Sequence, residues 1–181
     1  MTDDRFQNKY RIESARAEWH DYNGGIYFVT ICTKERENFF GEIENGTMIL
    51  SGIGKYTDRC IGELTQHNPY AEIPQYVIMP NHLHLIVVIT ASDGRDVPWR
   101  VSTAGKNEMM QNIANKQGRL STAIAGFKQA VTRFANQNSI DFAWQPRFHD
   151  HIIRDNCELN RITSYIENNV ANWKDDEFYT P

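Results

Sequence analysis

The chain has 181 residues, of which 40% are hydrophobic and 12% aromatic, and a formal net charge of −4. That length and apolar content suit one folded domain with its own core, spanning residues 1–181, and exclude a disordered or low-complexity chain. The polar first residues, MTDDRFQNKYRIES, argue against a secretory leader; no apolar run is long enough to cross a membrane, and three scattered cysteines point to a reducing cytoplasm.

Ile26 to Thr33 (IYFVTICT) follows a Gly-Gly pair and is rich in β-branched and aromatic residues, which predicts a strand. Phe39 to Leu50 holds Asn45-Gly46 between short apolar runs, the signature of a hairpin. Ser51 is placed to cap a helix running to about His67, with Ile53, Tyr56, Cys60, Ile61 and Leu64 on its inner face. Glu72 to Met79 and His82 to Ile89 read as two strands around Pro80-Asn81. Residues 91–118 are polar and without periodicity, so a long loop is expected there.

Leu120, Ile124, Phe127, Val131 and Phe134 recur at helical spacing, with Arg119, Lys128 and Arg133 off that stripe. Ala143 to Ile153 predicts another strand. Asp155-Asn156-Cys157-Glu158 has the form of a capping box, opening a last helix with Leu159, Ile162, Ile166 and Val170 inward. No internal repeat is present. This order suits an α+β domain, an antiparallel sheet with helices packed mainly on one face.

On a strand, alternate side chains share a face, so His82 and His84 point the same way while Leu83 and Leu85 point the other. Two imidazoles so spaced can bind one metal ion, and they can equally be half-exposed histidines at a sheet end. His149-Asp150-His151 has the same spacing with a charged residue in the middle. Spacing alone does not choose between the pairs. Tyr165 lies at the edge of the last helix's apolar stripe, a position open to a packing tyrosine or to a reactive hydroxyl. The segment SGIGKYT echoes a phosphate-binding loop but fails its pattern, because Tyr56 follows Lys55 and no glycine stands five before Gly54.

MPNHLHLIVV, with a hydrophobic residue between two histidines, resembles the His-hydrophobic-His motif of single-tyrosine transposases of bacterial insertion sequences and their REP-associated relatives. GGIYFVTICTKERENFFGEIENGTMIL is similar to that family's first strand and hairpin, and WQPRFHDHIIRDNCELNRITSYIENN to its last strand and tyrosine helix, so the likeness runs from about Tyr22 to Lys174. The resemblance implies a ferredoxin-like fold and metal-dependent cleavage and rejoining of single-stranded DNA through a phosphotyrosine link. In it, His82 and His84 match the metal pair, Tyr165 the nucleophile and Asn169, on the same helix face, the third ligand, where related transposases carry Gln. Mg2+ or Mn2+ is the expected ion. Single strands folded into hairpins are the expected partner, with a homodimer left open because members differ on whose active site the tyrosine helix serves. A relative that only binds hairpins and a nuclease that activates water remain rival readings.

The charge distribution bears on DNA. From Arg95 to Arg154 nine Lys/Arg face four acids, whereas from Asp155 to Pro181 six acids face two bases. A local basic surface can meet phosphate on an acidic protein, and it can also be a solvated face. Arg100, Lys106, Lys116, Arg119, Lys128 and Arg133 are the candidate DNA contacts.

Overall fold

The computed structural model describes residues 24–90 and 118–179, together with the backbone of a small antiparallel ladder between β1 (Arg5–Phe6) and β2 (Tyr10–Arg11). The expected loop over residues 91–118, with Arg100, Lys106 and Lys116, lies outside the described residues except for Gly118.

A four-stranded sheet holds the molecule together. It consists of β3 (Gly25–Cys32), β6 (Ala71–Ile78), β7 (His82–Ile89) and β8 (His149–Ile153), in the spatial order β6-β7-β3-β8 with every neighbour antiparallel. Central β7 is buried along almost its whole length, which explains its apolar run from Leu85 to Ile89. Beside the sheet, β4 (Gly41–Glu44) and β5 (Thr47–Leu50) form a hairpin. Its turn residues, Asn45 at φ 49° and Gly46 at φ 75°, occupy the left-handed region that a two-residue turn of this hand requires.

The two faces of the sheet have different tasks. Tyr27, Val29 and Ile31 of β3 and Leu83, Leu85 and Val87 of β7 are wholly buried on one face. Against them pack α1 (Gly52–His67) and α2 (Arg119–Gln137), whose Ile53, Ile61, Leu64, Leu120, Ile124, Phe127 and Val131 complete the main core. The helical spacing of these residues turns one apolar stripe from each helix toward the sheet. The opposite face carries the odd neighbours in that apolar strand, His82 and His84. It also carries a smaller cluster in which Ile86 and Ile153 meet Ile162 and Ile166 of α3 (Asn156–Asn168). Among the described residues two helices thus share one face and α3 covers part of the other.

The local signals act where the residues place them. Ser51 Oγ accepts the Gly54 N–H at 3.1 Å and starts α1, so SGIGKYT is a helix start. Asp155 Oδ1 accepts the Glu158 N–H at 2.8 Å, and Glu158 reaches back to the Arg154 N–H at 3.0 Å, one residue earlier than a standard capping box. The last strand is shorter than its sequence suggests. Regular pairing starts at His149, with only an isolated bridge from Thr33 to Trp144 before it. Pro146 has no N–H to give a ladder, and Arg147 takes a left-handed φ of 67°.

Candidate active site

The Pro80-Asn81 turn lets β6 reverse directly into β7, closed by the Met79 N–H on the His82 carbonyl at 2.9 Å. The two histidines therefore begin a central strand, on the face that α3 only partly covers. His82 is 0% and His84 2% exposed. Their Nε2 atoms lie 3.1 Å apart. Burial pushes His82 down to about 2, helped by its neighbour His84 and by Arg36, and burial pushes His84 down to about 3. Both rings are neutral near pH 7, the form in which imidazole is a ligand.

Asn81 determines the tautomer of His82. Its amide nitrogen donates to the Phe178 carbonyl at 2.8 Å and the Arg36 carbonyl at 3.1 Å. The amide oxygen is therefore the atom 2.9 Å from His82 Nδ1, and that nitrogen must donate to it. His82 Nε2 is left with a lone pair aimed at His84. On the other side, His84 Nδ1 lies 2.9 Å from Thr30 Oγ1 on β3, and the Phe28 ring stacks on His84 with centroids 5.1 Å apart.

Two further groups come from the C-terminal part of the chain. From α3, the Tyr165 hydroxyl reaches within 3.2 Å of His84 Nε2, while the side chain stays 44% exposed. Histidines and tyrosine belong to one polypeptide. Burial raises the Tyr165 phenol above its ordinary value, and the Asp176 charge adds to this, while a hydrogen bond from Asn169 acts the other way. After α3, the segment through Trp173–Asp175 folds back over the histidines. The Phe178 ring lies 4.7 Å from that of His82, under the Arg36 guanidinium at 3.8 Å. This return brings Asp176 in: one ligand atom each from His82, His84 and Asp176 falls within 4.8 Å of the others.

Asn169 occupies the C-cap of α3 and is buried. Its Nδ2 donates to Asp176 Oδ2 at 3.2 Å, and its buried Oδ1 has no hydrogen-bond partner among the described residues. The orphaned amide oxygen belongs to a side chain bonded to Asp176, the carboxylate that lies beside the neutral imidazole pair, and carboxylate and imidazoles are a donor set that a divalent cation would satisfy. The residues fit such an ion, and His82, His84 and Asp176 form a group that can hold one.

A cavity of about 880 Å3 opens beside the cluster, lined by His84, Tyr165, Arg36, Arg147, His149 and Phe178 among others. The remaining expected DNA contacts are carried by α2. Arg119 donates to the Thr90 carbonyl at 2.6 Å, and Lys128 is tied to the Gln145 and Arg147 carbonyls at 3.0 and 2.9 Å. Arg133 is exposed, and all three belong to α2, behind the sheet from the histidines. Sequence reasoning did not single out Asn81, Asp176, Arg36 or Phe178. The run Asp175-Asp176-Glu177 beside two aromatics was the one signal, and nothing local joins it to strand β7.

No protein-family model matches the chain. An uncharacterized protein of Haemophilus influenzae is 34% identical over 170 residues, covering 92% of each chain. Among solved structures, a REP-associated tyrosine transposase bound to a REP hairpin matches with a TM-score of 0.54 and 19% identity, over 87% of this chain and 74% of the other. At that identity the likeness is one of fold: the mixed α+β architecture with its antiparallel sheet is transposase-like. A putative transposase from Deinococcus radiodurans also matches, at 15% identity over 84% of this chain and 95% of the other, with a TM-score of 0.39.

Proposed function

The chain belongs to the same family as the Haemophilus influenzae protein, and from the geometry of its own site we propose that it is a metal-dependent DNA strand transferase, cutting and rejoining single-stranded DNA through Tyr165. One observation carries the reading: a half-exposed phenol lies 3.2 Å from the buried imidazole pair, at the mouth of a cavity. A packing tyrosine needs no such neighbours.

In the reaction, the Tyr165 oxygen forms a bond to phosphorus and a sugar oxygen leaves. One phosphodiester replaces another, so no nucleoside triphosphate is consumed and the step runs backward to rejoin strands. An ordinary phenol ionises at pH 7 at a cost of about 4 kcal/mol, and burial makes Tyr165 harder to ionise still. His82, His84 and Asp176, with the Asn169 amide oxygen, would hold a divalent ion; the oxygen donors suit magnesium or manganese in use, while the two imidazoles would hold zinc or nickel more tightly. Such an ion supplies charge neutralisation and orientation to the phosphate when bound. Arg36 and Arg147, which line the cavity, offer positive charge to a backbone entering there. The substrate favoured is a single strand beside a hairpin; the REP-associated neighbour is bound to a REP hairpin. The reading takes Tyr165 to act with the histidines of its own chain, beside which its hydroxyl lies.

The test is a covalent one. A labelled hairpin oligonucleotide with a single-stranded flank is incubated with protein and manganese and run on denaturing gels. The parent should retain label and Tyr165→Phe should lose it. Cleavage that survives in Tyr165→Phe would point to a water-using nuclease, and binding without cleavage by the parent to a silent hairpin binder.

A further inference from the structure

The second histidine pair has no part in the chemistry so far. In the sheet, Thr30 of β3 stands opposite His84 of β7 on one side and opposite His149 of β8 on the other. Residues opposite one another on antiparallel strands share a face. His84, Thr30 and His149 therefore form one row across three strands, on the face that receives Tyr165. Strands lie about 4.8 Å apart, so the outer two backbones of the row are separated by about 10 Å. The residue between them is a short threonine whose hydroxyl is turned to His84 Nδ1. All four side chains line the same cavity.

His149 and His151 differ in what they touch. His151 Nε2 is 2.7 Å from Glu158 Oε1, and Glu158 in turn accepts the Arg154 N–H at the start of α3. That ring is committed to anchoring a helix end. His149 is exposed and makes no hydrogen bond or ion pair with the described residues.

Phosphoryl transfer places the attacking and leaving oxygens on opposite sides of phosphorus, roughly in line. Tyr165 attacks from the His84 end of the row, so the departing oxygen points toward the far end. A sugar alkoxide leaves poorly without a proton, and imidazole is the side chain that gives and takes protons near neutral pH. We propose that His149 is the general acid that protonates the departing sugar oxygen, an inference that rests on the strand-transfer reading above. The Tyr165 oxygen bonds to phosphorus as the phosphorus–sugar oxygen bond breaks. The freed electron pair takes the proton of His149, and the phenolic proton passes to solvent at the exposed edge of Tyr165. In rejoining, neutral His149 removes the proton from the attacking sugar hydroxyl.

A sulfur leaving group tests this, because a thiolate departs without protonation. Two hairpin oligonucleotides are made with the bridging oxygen at the scissile phosphate replaced by sulfur, on the 3′ side in one and on the 5′ side in the other. Adduct formation by the parent on the all-oxygen DNA is read first; without it the strand-transfer reading fails and His149 falls with it. Given that adduct, His149→Ala and His149→Gln should cleave all-oxygen DNA slower by about 100-fold or more, with hairpin affinity unchanged. On the DNA whose sulfur is the leaving atom, both variants should return to within a few-fold of the parent. Equal slowing on the oxygen and sulfur substrates, or no slowing on either, overturns the role of His149 and leaves that of Tyr165 standing.

Discussion

Asn81 shows how much of the site depends on a single turn residue. It is wholly buried, and its amide ties the β6–β7 turn to the Arg36 and Phe178 backbones while directing the lone pair of His82 Nε2 into the cluster. Partners that orient a ligand imidazole commonly affect metal affinity about 10- to 100-fold. Asn81→Ala should weaken manganese binding by that order, measured by isothermal titration on protein that remains folded; an unchanged affinity would mean that another group orients His82. Some of these residues were legible beforehand. The alternation of a strand puts His82 and His84 on one face, and the helical period puts Tyr165 and Asn169 on another. Asn81 read only as a turn residue, because its role lies in contacts to residues 36 and 178 that no local pattern encodes.

Among the elements, α1 and α2 obey their sequence periodicity, and its information stops at the choice of face. Helical spacing names the stripe that is buried; it does not say on which side of the sheet the helix packs. Arg119, Lys128 and Arg133, chosen for their local basic charge, all belong to α2, which packs on the face opposite the histidines, and the Lys128 ammonium donates to the Gln145 and Arg147 carbonyls. The start of α1 is pinned by close approach. A Cβ on Gly54 would overlap the Phe40 carbonyl oxygen, which is backbone and cannot swing aside. Gly54→Ala should therefore lose about 1–3 kcal/mol or more of stability, despite alanine's better helix propensity. Chemical denaturation checks this, and a gain in stability would show that α1 shifts freely against the β4–β5 hairpin.

Over the whole molecule, two buried neutral imidazoles tie stability to pH. In the fold they are pushed down to about 2 and about 3, against an ordinary value of 6.5 in the unfolded chain. Between those limits the unfolded chain binds more protons, so metal-free protein should lose stability as pH falls below about 6.5, by up to about 1.4 kcal/mol per pH unit for each imidazole. Denaturation in chelator at pH 7.5 and pH 5 should show a larger loss for the parent than for a His82→Asn/His84→Asn double variant; equal losses would place the sensitivity elsewhere. Most elements, the buried stripes and the shared faces of the histidines and of the tyrosine helix were readable in the chain, because turn chemistry and periodicity act over a few residues; the start of the last strand was not. Only the tertiary structure decided that α3 would cover the histidine face, that the chain's end would return Asp176 and Phe178 to it, and that His149 would share a row with His84. Those pairings depend on strand order and on a chain reversal after α3, and both are chosen by the packing of distant surfaces.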